Sequence, residues 1–193
     1  MKDFQFEFKR YNDTCFKHQM SRGLYAEDLN ILLEHVEKLP SNSTYVEIGV
    51  ADGSSLITVS QFRLDILCYG IEIRENPVLK KVIEIEDPAN AIVLYGDSTE
   101  ICKRWDKEID LLFIDSEHTF PQIFYDFAGW EPFVKKDSWI LFHDYENKER
   151  NGAKFEVYHV AKLFRNNPRY ELIISSEDEN ISSSILRVKK LCE

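Results

Sequence analysis

One feature constrains this chain more than any other. Short apolar runs alternate with helical stretches, five times in succession. Tyr45–Ile48, Ile66–Ile71, Ala91–Tyr95, Ile109–Ile114 and Ser138–Phe142 read as strands. Ser54–Phe62, Pro77–Ile85, Ser98–Trp105, Pro121–Trp130 and Ala153–Phe164 read as the helices between and after them. Parallel strands need such crossovers. Ile109–Ile114 is almost continuously apolar, as a strand buried on both faces must be. Ahead of the first strand, Leu29, Leu32, Leu33, Val36 and Leu39 form one apolar stripe that ends at Pro40.

The chain closes differently. Tyr170–Ser175 and Ile181–Val188 are apolar runs around Ser176–Asn180, which spells a hairpin. The expected fold is therefore α/β: a Rossmann-like doubly wound sheet, mostly parallel, with a C-terminal antiparallel hairpin in a three-layer arrangement. A length of 193 residues suits one domain. Residues 1–25 form an N-terminal arm or cap, since 1–20 show no clean period, and 26–193 form the core. Glu146–Gly152 reads as a loop.

The net charge of −10 argues against nucleic acid and anionic membranes as partners, and Lys and Arg form only isolated pairs such as Lys80-Lys81. A small-molecule substrate is expected; a homo-oligomer is compatible with the sequence. Four scattered cysteines without Cys-x-x-Cys suggest reduced thiols. Met1-Lys2-Asp3-Phe4 begins no signal peptide, and no apolar run approaches the ~20 residues of a membrane helix. The expected setting is soluble and cytoplasmic.

In doubly wound sheets ligands sit at the C-terminal strand ends. After the first strand comes Glu47-Ile48-Gly49-Val50-Ala51-Asp52-Gly53, where glycines allow a sharp turn and a close approach to a ligand. From Gly49 the nicotinamide fingerprint fails, because Ala51 and Ser54 occupy the later glycine positions. Glu72 ends the second strand and can accept from both hydroxyls of a ribose. Gly96-Asp97-Ser98 follows the third. Asp97 can accept from an adenine amino group and Ser98 can donate to the ring; Asp97 also suits a helix N-cap. Asp115 and Asp144 end neighbouring strands. Carboxylates that close repel unless a cation sits between them; as plain turn formers they would need none.

Together these segments resemble class I S-adenosylmethionine-dependent methyltransferases over roughly residues 25 to 190. The resemblance implies that Glu47 lies near the amino-acid part of the cofactor, that Gly49 and Gly53 cradle it, that Glu72 holds the ribose and that Asp97, with Ser98, binds adenine. Ala51 departs from the middle glycine often found there. Asp115-Ser116-Glu117-His118 and His143-Asp144 narrow the likeness to metal-dependent sugar and antibiotic-tailoring O-methyltransferases, including cephalosporin hydroxylase-like members. That resemblance implies a divalent metal on Asp115 and Asp144, with Asp115 also bordering the cofactor and His118 as general base. His143 stands where an acid is often found. It either stays behind the ligands beside magnesium or joins them on a softer metal such as manganese.

The implied activity is methyl transfer to a hydroxyl of a sugar, polyol or phenol. A nucleic-acid amino-methyltransferase would need Asn/Asp-Pro-Pro-aromatic where Asp115-Ser116-Glu117-His118 stands. A nicotinamide-dependent oxidoreductase and a non-catalytic cofactor-binding module are the remaining rivals. Tyr11, Phe16, Met20 and Tyr25 either line the acceptor pocket or pack against the sheet.

Overall fold

The computed structural model describes residues 4–21, 23–145, 148–150, 153–174 and 184–192. In chain order they form α1 (Gln5–His18), α2 (Ala26–Glu37), β1 (Thr44–Ile48), α3 (Ser54–Phe62), β2 (Leu67–Glu72), α4 (Pro77–Glu86), β3 (Ala91–Tyr95), α5 (Ser98–Ile101), β4 (Ile109–Ile114), α6 (Phe120–Trp130), β5 (Val134–Phe142), β6 (Lys148–Arg150), β7 (Ala153–Phe155), α7 (Ala161–Phe164), β8 (Tyr170–Ile174) and β9 (Leu186–Lys190). Seven strands make one sheet in the order β3-β2-β1-β4-β5-β9-β8, while β6 and β7 pair separately. Strands β1 to β5 run parallel, and β9 is antiparallel to both β5 and β8. This is the expected doubly wound sheet with its antiparallel end.

Both faces of the sheet are covered. Along β4 the side chains alternate: Leu111 and Phe113 join the core formed with α1, α2 and α3. Leu112 and Ile114 join the opposite core, with Ile123 and Trp130 of α6 and Phe164 of α7. All four are essentially inaccessible. Burial on both faces explains the unbroken apolar run, and each such side chain contributes about 1.5–3 kcal/mol of transfer free energy.

Register sets the site. Ile48 pairs with Ile71 on one side and Ile114 on the other, and Ile114 pairs with Phe142. The next residues on these strands, Gly49, Glu72, Asp115 and His143, thus leave the sheet at one level. The ladder extends into them: Gly49 N–H donates to Ile71, Asp115 N–H to Ile48 and His143 N–H to Ile114. Because β1 lies between β2 and β4, the winding reverses there and opens a crevice above β1 and β4.

Two expectations need correction. Ala153–Phe164 is not one helix: β7 is followed by a short 3₁₀ turn at Val157–His159 and then α7. The inward spacing was real, since Val157, Val160, Ala161 and Phe164 are all buried. The helix cannot start earlier, however, because Glu156 is engaged elsewhere. Its N–H donates to the His118 carbonyl at 2.8 Å, and its carboxylate accepts from Phe120 N–H at 3.0 Å. The loop expected at Glu146–Gly152 contains strand β6, which pairs with β7; Glu146, Asn147, Asn151 and Gly152 lie outside the described residues. So does the hairpin turn at Ser176–Asn180, with the first part of the strand expected from Ile181. The described part of the N-terminal arm contains a 14-residue helix, α1. Tyr11 and Met20 are buried against the core, while Phe16 and Tyr25 are exposed. No described helix is long and apolar enough to cross a membrane.

Candidate active site

A cavity of about 350 Å³ opens at the crevice. Of the residues expected to hold the cofactor, Gly49, Glu72, Asp97, Ser98 and Asp115 line it. The glycine turn is tightly built. Gly49 has φ +89°, and a Cβ there would meet the Asp115 carbonyl, with the carbonyl carbon 2.6 Å away. Ala51 also adopts a left-handed conformation, φ +49°, which glycine would occupy without steric cost. Glu72 braces the turn: Oε2 accepts from Ala51 N–H at 2.8 Å and Oε1 from Ile73 N–H at 3.0 Å. Asn76 braces it from beyond, donating to the Ala51 carbonyl at 3.0 Å and to Asp52 at 2.9 Å.

Glu47 and Gly53 stand off the lining. Glu47 is fully buried, accepting from Ser55 Oγ at 2.5 Å and Tyr45 Oη at 2.8 Å. Burial pushes its carboxyl up to about 8; the two hydroxyl bonds oppose this, and the nearby Asp115 charge adds to it. Gly53 is the left-handed N-cap of α3.

Asp97 caps α5, accepting from Thr99 N–H at 2.8 Å and Thr99 Oγ1 at 2.6 Å, and these bonds hold its carboxyl below the usual range. Ser98 donates its hydroxyl to Asp126. Asp126, on α6, was not anticipated. It is fully buried and also accepts from Ser116 Oγ at 2.5 Å and Gln122 Nε2 at 3.1 Å. Burial raises its pKa against the pull of those three bonds. A signal existed: Ile123, Asp126 and Trp130 share the buried stripe of α6, and a carboxylate on an apolar stripe needs partners.

The cavity shares one wall with a second cluster. Asp115, His118 and Asp144 each place a ligand atom within 4.8 Å of the others. His118 Nε2 lies 3.0 Å from Asp144 Oδ2 and 3.7 Å from Asp115 Oδ1. It is buried, and no hydrogen bond is aligned on it. Burial works against charge on His118, but the two carboxylates outweigh it and raise the pKa to about 9. Asp144 sits at φ +54°, a strained conformation for a non-glycine residue, at the tip of β5.

His143 is placed differently from the two aspartates. Its Nδ1 is 2.9 Å from Asp115 Oδ1 and its Nε2 is 3.5 Å from Asp28 Oδ2. Both nitrogens face carboxylates, and the three-residue cluster contains His118 instead of His143. Seen from that cluster, His143 lies behind Asp115. Burial opposes its charge, but Asp115 and Asp28 outweigh this and raise its pKa well above the ordinary value. For Asp115, burial is likewise outweighed by His143 and His118, which hold its carboxyl below the usual range.

The Asp115 and Asp144 carboxylates, which converge beside His118 Nε2, could hold a divalent cation and leave that nitrogen its lone pair. Oxygen donors of this kind suit magnesium or manganese.

This sheet order, with a glycine turn over β1 and an acid ending β2, defines the class I methyltransferase fold. A family model described as a methyltransferase domain matches residues 46–145, and the chain belongs to that family. An uncharacterized protein of Acanthamoeba polyphaga mimivirus is 27% identical over 124 residues, 54% of this chain and 52% of its own length. The chain thus spans about half the length of this curated relative. Among solved structures, a Staphylococcus aureus protein assigned as a caffeoyl-CoA O-methyltransferase superposes with a TM-score of 0.74 at 16% identity, covering 95% of this chain and 91% of that one. The MycE methyltransferase of the mycinamycin biosynthetic pathway, solved with Mg, SAH and mycinamycin VI, gives 0.66 at 14% identity, covering 94% of this chain and 54% of its own.

Proposed function

We propose that this protein transfers the methyl group of S-adenosylmethionine to a hydroxyl of a small molecule, a sugar, polyol or phenol, with help from a divalent metal. One observation carries the reading. Asp115 borders the cofactor cavity and belongs to the Asp115–His118–Asp144 cluster, so donor and acid–base groups share a wall. MycE, which shares the fold, binds Mg and SAH together.

Glu72 presents its carboxylate to the ribose hydroxyls while holding the glycine turn. Asp97 faces the adenine end. Asp115 and Asp144 would hold the metal, which when bound supplies Lewis acidity to a hydroxyl beside it. His118 is the proton acceptor at Nε2. With its two carboxylates uncompensated the ring keeps its own proton; it becomes a base once their charge is balanced. The crevice aligns acceptor oxygen and sulfonium methyl, which supplies the entropic part of the rate.

The test combines calorimetry with S-adenosylhomocysteine and transfer of a labelled methyl group to a panel of sugars, polyols and phenols, with Mn²⁺ or with EDTA. Cofactor binding with metal-dependent transfer is expected. Asp115→Ala should abolish that transfer and leave cofactor affinity largely intact. No binding at millimolar cofactor, or transfer indifferent to EDTA, would overturn the donor or the metal part respectively.

A further inference from the structure

We infer that Asp28, on α2, is a positioning residue for the metal centre and acts through His143; this rests on the metal reading above. Asp28 is 1% exposed and does not line the cofactor cavity. Its carboxylate is nevertheless the hub of three segments. Oδ1 accepts from Ser184 N–H at 2.8 Å and Ser184 Oγ at 3.3 Å, at the entry to β9. Oδ2 accepts from Tyr25 N–H at 3.4 Å and stands 3.5 Å from His143 Nε2. On the far side of the ring, Nδ1 meets Asp115 Oδ1 at 2.9 Å.

The imidazole therefore lies edge to edge between two carboxylates, bonded to Asp115 through Nδ1 and in ion-pair range of Asp28 at Nε2. His143 is itself only 4% exposed, which leaves it one orientation. By engaging Oδ1, His143 fixes the rotation of the Asp115 carboxylate about its last bond. That rotation decides where the remaining lone pairs of Asp115 point, and so whether they converge with Asp144 and His118. Carboxylate–histidine partners behind a ligand commonly change metal affinity by about 10–100-fold. Asp28 supplies the outer half of such a pair from an element that contributes nothing else to the site.

The experiment measures Mn²⁺ affinity by calorimetry on the full chain for wild type, Asp28→Asn, His143→Gln and the double variant. S-adenosylhomocysteine affinity is measured alongside. Asp28→Asn is expected to weaken Mn²⁺ by about tenfold or more and to leave the cofactor affinity within about twofold, the scatter of a neutral change. The double variant should bind Mn²⁺ no more weakly than His143→Gln alone, because the two act in series. If Asp28→Asn does not fold, Asp28→Glu, which keeps the charge but displaces it, carries the same expectation. Unchanged Mn²⁺ affinity in the Asp28 variant, or losses that simply add, overturns the positioning role alone. Wild-type protein that binds no Mn²⁺ overturns the metal reading and this role with it.

Discussion

Gly49 and Gly53 offer a controlled comparison. Both have φ +89°, so replacing either with alanine incurs the same left-handed penalty, about 1–2 kcal/mol. They differ in what a new Cβ meets. At Gly53 the obstacle is the end of a side chain, Leu79 Cδ1 at 2.6 Å, which can rotate away for about 0.5–1.5 kcal/mol. At Gly49 it is main chain, with the Asp115 carbonyl carbon at 2.6 Å and Ser116 Cα at 2.7 Å. Carbon atoms prefer about 3.5–4.0 Å, so the tips of β1 and β4 must part by roughly 1 Å. They are tied by the Asp115 N–H bond to Ile48 at 2.8 Å. Overpacking of this kind costs about 1–3 kcal/mol and has no side-chain escape. Gly49→Ala should therefore be less stable than Gly53→Ala by about 1 kcal/mol, or roughly 2–4 °C in midpoint for a chain this long. Urea and thermal unfolding of the two variants beside wild type measure this. Equal losses would refute the claim that strand-tip contact, rather than the dihedral alone, demands glycine at Gly49.

Glu72→Ala should weaken S-adenosylhomocysteine by about 1–3 kcal/mol through loss of hydrogen bonds to a charged acceptor; unchanged affinity in calorimetry would remove Glu72 from the site. Stability of metal-free protein should fall as pH rises from 6.5 to 8. Folding lifts His118 from 6.5 to about 9, so its stabilisation is complete below pH 6.5 and lost as pH climbs towards 9. Folding lifts Glu47 from 4.5 to about 8, so between those values the folded chain keeps a proton that the unfolded chain releases, and folding weakens with rising pH there too. Each group contributes a slope of up to about 1.4 kcal/mol per pH unit. Urea midpoints in EDTA that stay flat or rise over this range would contradict both assignments.

Much of this was readable in advance because strand and helix periods are local. The runs Ser54–Phe62, Ala91–Tyr95 and Ile109–Ile114 coincide with α3, β3 and β4, since the pattern that sets each element's period is written in consecutive residues. The strand-end positions Gly49, Glu72, Asp97 and Asp115 followed from the winding rule. Long-range satisfaction was not readable. Nothing near Asp28 says that it will meet Ser184 and His143, and nothing near Glu156 says that it will cap α6 and shorten the helix expected after it. Asp126 lies between these cases: its place on the stripe of α6 was visible, but its three donors come from three segments.

The reversal of winding at β1 also divides the molecule by task. Gly49, Glu72 and Asp97 come from the first three strand tips; Asp115, His118 and Asp144 come from the next two. Asp115 is the one member of that second set that also lines the cofactor cavity. Ser116, Glu117, Gln122 and Asp126, beyond β4, border that cavity as well, so a segment exchanged there to accept a different alcohol would have to keep these four in place along with His118, His143 and Asp144.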